Sequence, residues 1–153
     1  MKNFSNYENT KNSAKYFYKK IGKIFSPALN RDIYFNSKGF NHIIFKKSRS
    51  ERERSSQTLR FKLLRLAVKL IKISTTYQEF EEISKKEKET TKFRTTRYWG
   101  IIAIIEQRKI KVILKQCGDN GNIHFWSIIP AWTTNKYRDE KLYKTMKGTP
   151  EQD

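Results

Sequence analysis

Three runs of β-branched and aromatic residues constrain the fold of this chain more than any other feature. They read RTTRYWGIIAII, KIKVILKQC and NIHFWSIIPAW, and only the short polar segments EQR and GDNG separate them. Runs of this composition favour strands, and Asp, Asn and Gly tolerate the positive φ angles of tight hairpin turns. The sequence therefore predicts three antiparallel strands, joined as a meander between Arg94 and Trp132.

The residues before the meander carry helical patterns. In TLRFKLLRLAVKLIKI, apolar residues recur every three or four positions and basic residues lie opposite, which predicts an amphipathic helix with a basic outer face. Residues 13–25 have helical spacing too, and we expect Ser26-Pro27 to end that helix. Residues 32–47 are expected to be extended, with a turn or bulge at Gly39. The charged residues 77–92 are compatible with a helix.

This order of elements predicts an α+β fold, with N-terminal helices followed by a small antiparallel sheet. A length of 153 residues suits one domain. Within it we expect a helical extension over residues 1–30, a core over 32–132 and a peripheral tail over 133–153. The apolar runs fall short of the roughly 20 residues that span a bilayer, and the N-terminus has no apolar leader, so we expect a soluble, cytoplasmic chain.

The charge of the chain points to a polyanionic partner. Its 33 lysines and arginines face 15 acidic residues, which gives a formal net charge of +18. Such self-repulsion destabilises a compact state, and nucleic acid is the partner that best explains it. An anionic membrane, an acidic protein and the lysine bias of AT-rich coding sequences are alternatives.

Several classes of site lack support in the sequence. One cysteine excludes an internal disulfide, and two histidines without paired spacing make a zinc site improbable. No glycine-rich phosphate-binding loop is present. Ser127 and His124 have no evident carboxylate to complete a hydrolytic triad. We therefore expect neither a metal nor a cofactor.

Cleavage of RNA makes smaller demands, because the 2′-hydroxyl of the substrate can serve as the nucleophile. The protein then needs an acid–base pair and cations aimed at the phosphate. His42, in SKGFNHI, lies four residues after Lys38 and is expected at the start of the first strand. Arg94 and Arg97, in RTTR, are candidate phosphate ligands at a strand entrance.

The last hairpin could complete such a site. A two-residue turn at 119–120 sets Lys115 opposite His124. Lys111 and Lys115 would then share a face with His124 and Trp126, and Ser127 would point the other way.

A slip of one residue, caused by a three-residue turn with a bulge, would put Ser127 on the lysine face instead. The sequence leaves the two registers open. Each residue also has an ordinary structural interpretation: a strand lysine facing solvent, Trp126 in the core, or His42 as a hydrogen-bonded structural residue.

The segments IYFNSKGFNHIIFK, TYQEFEE, RYWGIIAII, KIKVILKQ and HFWSIIPAW, with the basic helix among them, resemble a known group. It is the phage and bacterial branch of the barnase, EndoU, colicin D and RelE-like ribonuclease superfamily, and the resemblance covers roughly residues 32–138. It implies a helices-then-sheet fold and metal-independent RNA cleavage that leaves a 2′,3′-cyclic phosphate. It also implies a toxin that acts on tRNA or mRNA and an antitoxin or immunity protein that neutralises it, for which a small acidic protein would fit.

Carried onto this chain, the resemblance makes His42 the acid–base group, with Lys38 near it. The polar position of the final strand falls on Ser127 or His124, with Trp126 as a stacking partner. Members of the superfamily differ in their catalytic residues, so the resemblance does not fix these roles.

Three hypotheses follow. The first is a toxin-like endoribonuclease in which His42 is the acid or base, His124 and Ser127 support it, and cations bind the phosphate: Lys38, Arg97, Lys111 and Lys115. The second is a non-catalytic nucleic-acid-binding module with a basic helix and sheet face. The third is a basic protein whose charge answers an acidic partner.

Overall fold

The computed structural model describes residues 2–89 and 91–133. Over these ranges the chain forms three helices and six strands. The helices are α1 (Lys2–Ile21), α2 (Ser37–Ile44) and α3 (Arg54–Ile73), and the strands are β1 (Lys23–Ser26), β2 (Arg31–Tyr34), β3 (Glu79–Lys86), β4 (Phe93–Ile105), β5 (Arg108–Cys117) and β6 (Ile123–Thr133).

All six strands belong to one sheet, in the order β1-β2-β6-β5-β4-β3. The α+β class is confirmed, whereas the expectation of a purely antiparallel sheet is wrong. β2 runs parallel to β6, with Ile33 beside Ile123 and Tyr34 beside His124. This pairing is short, because β2 ends at Tyr34 and the chain turns into α2.

The predicted meander of β4, β5 and β6 is confirmed. Glu106 and Gln107 join β4 to β5 with φ angles of 49° and 65°, and Gly118 begins the next turn with a φ angle of 74°. Positive φ at both central residues is the geometry of the tight turns that match strand twist. The meander is thus the centre of a sheet that is larger than the three strands predicted.

The predicted basic amphipathic helix is α3. It packs across β1, β6, β4 and β5. Its buried apolar residues are Phe61, Leu63, Leu64, Ala67, Leu70 and Ile71. Leu59, in the second turn, and Ile73, at the C-terminal end, have the spacing of the apolar stripe but are exposed. The basic side is exposed as predicted, at Lys62, Arg65, Lys69 and Lys72.

The bounds of the first helix differ from the prediction. α1 begins near the N-terminus and ends at Ile21, before Ser26-Pro27. Gly22 follows with a φ angle of 65°, the left-handed conformation that commonly terminates helices. Ile24, placed in the helix by its spacing, instead lies in β1 and is buried.

The expectation that residues 32–47 are extended is wrong for residues 37–44, because they form α2. The side chain of Asn36 caps this helix, accepting from the backbone N–H groups of Lys38 and Gly39 at 3.1 and 3.4 Å. Phe40, Ile43 and Ile44 have helical spacing and are buried. Tertiary burial thus outweighs the strand preference of two adjacent isoleucines.

The charged segment 77–92 has a composition that is compatible with a helix. In the structure most of its first ten residues form an edge strand, β3. Its side chains alternate between half-buried and exposed from Glu79 to Ile83. β3 pairs along β4, where Ser84 and Thr95 are hydrogen-bonded at 3.0 Å and Phe80 packs on Trp99. These cross-strand pairs stabilise a segment whose own composition does not indicate a strand.

One hydrophobic core connects the helices with the sheet. From α1, Tyr7, Ala14 and Tyr18 are buried in the same cluster as Phe125 of β6, so this helix shares the core of the predicted 32–132 unit. The predicted tail beyond residue 133 lies outside the described residues. Within residues 2–89 and 91–133 no helix is long and apolar enough to cross a membrane.

Gly39 sets how closely α2 approaches β6. A Cβ atom at this position would overlap the carbonyl oxygen of Phe125 and the hydroxyl of Tyr18. We expect Gly39→Ala to lower the free energy of unfolding by about 1–3 kcal/mol, because backbone and a buried ring must shift. Urea unfolding measures this change. The matched control is Ser37→Ala on the exposed side of the same helix, expected within about 0.5 kcal/mol of the wild type; equal stability of the two variants would contradict this interpretation.

Candidate functional site

The register of the last hairpin combines the two alternatives left open by the sequence. Lys115 pairs with His124 and Leu114 with Phe125, as a turn at 119–120 requires. The register then shifts, and Ile113 pairs with Ser127. Trp126 is therefore an extra residue in β6, a β-bulge, which re-aims side chains at this point of the sheet.

A cleft of about 590 Å³ lies between this hairpin and α2. Five elements supply its walls: α2, the loop that follows α2, β4, the end of β5 and the start of β6. Among its described lining residues five are basic, two are histidines and none is a carboxylate: Lys38, Asn41, His42, Phe45, Lys46, Lys47, Arg49, Tyr98, Lys115, Cys117, His124 and Trp126. The cleft is thus a concentrated positive surface with aromatic walls.

Trp126 holds the groups of the cleft together. The ring of His42 stacks on the indole, with centroids 4.1 Å apart and planes inclined by 17°. His124 meets the indole edge-on, at 6.1 Å and 81°. The ammonium of Lys115 lies 3.9 Å from the indole centroid and 5.5 Å from that of Tyr98. Both histidines and a lysine therefore converge on one side chain, and the lysine gains cation–π attraction.

His42 is held from behind by Arg52. The Nη2 of Arg52 lies 3.2 Å from Nε2 of His42, and its Nε donates to the backbone carbonyl of His42 at 3.0 Å. A guanidinium can only donate, so Nε2 of His42 is the acceptor and carries no proton in this arrangement. The prediction that His42 starts a strand is wrong, since it lies on α2, but it does lie beside Lys38, Trp126 and His124 in the cleft.

A buried chain of hydrogen bonds continues from Arg52 to the first helix. The backbone carbonyl of Arg52 accepts from the Gln57 amide at 2.7 Å, and the Gln57 carbonyl accepts from the Tyr7 hydroxyl at 2.5 Å. Satisfied networks of this kind fix the geometry of the groups they hold. The orientation of His42 therefore depends on residues of α1 and α3 as well as on α2.

The environment of His124 strongly perturbs its titration. Burial first, and then the charges of Lys115 and Lys38, lower its pKa to about 4, against an opposing hydrogen bond with the backbone of Asn122. Nε2 is buried and has no hydrogen-bond partner among the described residues, so the bond to Asn122 uses Nδ1. Above about pH 5 the ring is therefore neutral, with the lone pair of Nε2 unused.

Four of the predicted site residues lie elsewhere. Ser127 is buried and accepts a hydrogen bond at 3.0 Å from Arg60 of α3. Lys111 is 1% exposed, and its ammonium lies 2.6 Å from Glu79 of β3. These contacts give Lys111 and Ser127 structural surroundings away from the cleft.

The two arginines of RTTR pair with acidic residues in or next to β3 and, for Arg97, also in the β5–β6 turn. Arg94 lies 3.3 Å from Glu87. Arg97 contacts Asp119 at 2.8 Å and Glu82 at 3.0 Å. Hydrogen bonds to Asp119 and then Glu82 raise the pKa of Arg97. The structure thus separates these candidates from the five that share the cleft, which are Lys38, His42, Lys115, His124 and Trp126.

Sequence reasoning missed Arg52, Tyr98 and the basic loop of Lys46, Lys47 and Arg49. A helical interpretation of SKGFNHIIF would have placed Lys38, His42 and Phe45 on one face. The basic loop follows this helix directly and lines the same cleft. Asn36 before this segment was the available signal, because asparagine favours the N-cap. Nothing local in the sequence marks Arg52 or Tyr98, which reach the site through long-range packing.

Comparison with known proteins adds no relative: neither a family model, nor a curated protein, nor a solved structure matches the chain. The resemblance to the barnase-like ribonucleases therefore stays a prediction from the sequence. In residues 2–89 and 91–133, no three His, Cys, Asp or Glu side chains come together as a metal-binding group.

The lowered pKa of His124 makes the stability of the fold depend on pH. As the pH falls from about 6.5 to 4, the unfolded chain binds a proton at this residue before the folded chain does, so stability is lost in this window. Between pH 7 and 4.5 the loss from this group is about 2 kcal/mol. His124→Asn keeps a donor for Asn122 and does not titrate.

Urea unfolding at the two pH values measures this difference. The wild type should lose about 2 kcal/mol more than His124→Asn, since the remaining groups titrate in both proteins. Equal losses in the two proteins would show that the His124 pKa is not lowered by folding.

Proposed function

We propose that this chain is a metal-independent endoribonuclease that cleaves RNA in the cytoplasm through attack of the 2′-hydroxyl on the adjacent phosphate. The observation that carries the proposal is His124. It is a neutral imidazole with an unused Nε2 in the wall of a basic cleft. A buried acceptor without a partner costs about 1–3 kcal/mol, and a substrate hydroxyl would supply the missing hydrogen bond.

His124 is the general base in this scheme. Its Nε2 takes the proton of the 2′-hydroxyl while the 2′-oxygen forms a bond to phosphorus. The bond from phosphorus to the 5′-oxygen breaks, and the products are a 2′,3′-cyclic phosphate and a 5′-hydroxyl. The bond from Nδ1 to Asn122 fixes the tautomer that presents the lone pair.

Lys115 and Lys38 supply the positive charge that the reaction needs. Both are close enough to His124 to lower its pKa electrostatically. Their ammonium groups neutralise the charge that develops on the phosphate, and one of them gives a proton to the departing 5′-oxygen. The scarcity of carboxylates in the cleft favours a phosphate there, since nothing acidic among the lining residues repels it.

His42 is a positioning residue in this proposal, although the sequence suggests it as the acid or base. Its Nε2 is engaged by Arg52, and its ring stacks on Trp126. By stacking on the indole, His42 orders the Trp126 side chain, on which Lys115 and His124 converge. The same proposal includes a toxin-like role. An acidic inhibitor protein could neutralise such a toxin by covering the basic cleft.

Cleavage in EDTA tests the proposal. We expect the purified protein to cut a 12-nucleotide RNA in EDTA and leave a 2′,3′-cyclic phosphate. His124→Asn and Lys115→Met should each lower kcat about 10²–10⁴-fold. Arg94→Gln is the matched control, since this exposed arginine pairs with Glu87 away from the cleft, and it should keep wild-type kcat. Affinity for a 2′-O-methyl oligonucleotide, which cannot be cleaved, shows that each variant still binds.

Two results would count against the proposal. Tight, salt-sensitive binding without products favours a non-catalytic nucleic-acid-binding module, which the same cleft would serve. Cleavage that needs a divalent metal, or persists in His124→Asn, removes His124 from the chemistry.

The pH profile gives a second test that depends on the same residue. Because kcat/KM reports the base of the free enzyme, it should stay level from about pH 8 down to pH 5 and fall through the pKa of about 4. A fall centred near pH 6.5 would indicate an unburied histidine as the base.

A further inference from the structure

A second groove, of about 540 Å³, lies between α1 and a neighbouring face of α2. Its walls combine lysines with the edges of aromatic and aliphatic side chains. Among the part of the chain that the structure describes, its lining residues include no carboxylate: Lys11, Lys15, Tyr18, Lys19, Phe35, Asn36, Ser37, Phe40, Asn41 and Ile44.

The lysines of this groove form a regular row. Lys11, Lys15 and Lys19 follow one another at intervals of four residues on α1, so they lie on one side of the helix and span about 12 Å along it. Lys15 and Lys19 are exposed, and Lys11 is half-buried. The row has the form of a surface that follows a phosphate backbone.

The groove adjoins the basic cleft across α2, since one residue lines both. Asn41 lines both cavities. Ser37 and Phe40 face the groove, whereas Lys38 and His42, one or two residues away, face the cleft. A chain leaving the cleft past Asn41 would therefore meet the lysine row directly.

We propose that this groove binds the single-stranded RNA that flanks the scissile phosphate, a proposal that rests on the ribonuclease function above. The lysines contact successive phosphates, and the apolar floor of Phe40 and Ile44 accepts unstacked bases. Single strands suit such a surface, because their bases are free to turn toward apolar side chains. The enzyme would then prefer long unpaired substrates to dinucleotides.

The test removes the row and compares long with short ligands. The variant is Lys11→Gln, Lys15→Gln, Lys19→Gln, and the matched control is Lys62→Gln, Arg65→Gln, Lys72→Gln on the exposed face of α3. Binding of a fluorescein-labelled 12-nucleotide 2′-O-methyl oligouridine is measured by anisotropy at several salt concentrations. Cleavage of uridylyl-3′,5′-adenosine measures the chemistry without flanking contacts.

In the α1 variant the slope of log affinity against log salt should shrink by about 2, as expected for three lost single-strand phosphate contacts. The slope of the α3 variant should stay close to that of the wild type. Both variants should cleave the dinucleotide at the wild-type rate.

Equal slope changes in the two variants would overturn the inference, since overall charge would explain them. Slower dinucleotide cleavage in the α1 variant alone would overturn it too, because the row would then act through the cleft. If the wild type cleaves neither the dinucleotide nor the 12-nucleotide RNA of the EDTA test, the ribonuclease proposal fails. The slopes of log affinity against log salt, measured by anisotropy, still decide whether the groove binds the RNA strand.

Discussion

One extra residue in β6 determines the geometry of the candidate site. Without the bulge at Trp126, regular pairing would continue from Lys115 and His124, and Trp126 rather than Ser127 would oppose Ile113. The bulge lets Trp126 contact both histidines while Ser127 hydrogen-bonds to Arg60. The approach of α2 to Phe125, possible only with glycine at position 39, then brings His42 onto the indole. Sheet irregularity and helix packing thus form one cleft.

Charge is distributed unevenly over the described fold. Arg94 and Arg97 of β4 and Lys111 of β5 are paired with carboxylates. The cleft and the adjoining groove collect lysines, and no carboxylate is among their described lining residues. This uneven distribution places positive charge at two concave surfaces where a ligand can bind. It also explains why residue type alone could not tell the lysines of the cleft from Lys111.

The sequence predicted the elements whose pattern is local. The meander and α3 follow from their own periodicity, whereas the pairing of Lys115 with His124 was one of two registers that the sequence left open. The short helix α2 and the strand β3 were missed, because buried contacts with β6 and cross-strand pairs with β4 stabilise them. Five site candidates share the cleft, yet the arrangement of Arg52 behind His42 joins segments that no single pattern connects.

The most direct test is the state of the His124 ring in solution. With only two histidines in the chain, ¹⁵N-labelled imidazole spectra resolve each ring by NMR, and His124→Asn assigns them. We expect His124 to stay neutral, with its proton on Nδ1, until the pH falls to about 4. Its Nε2 signal should shift when the 2′-O-methyl oligonucleotide binds. Titration at or above pH 6.5, or a proton on Nε2, would contradict its role as the base.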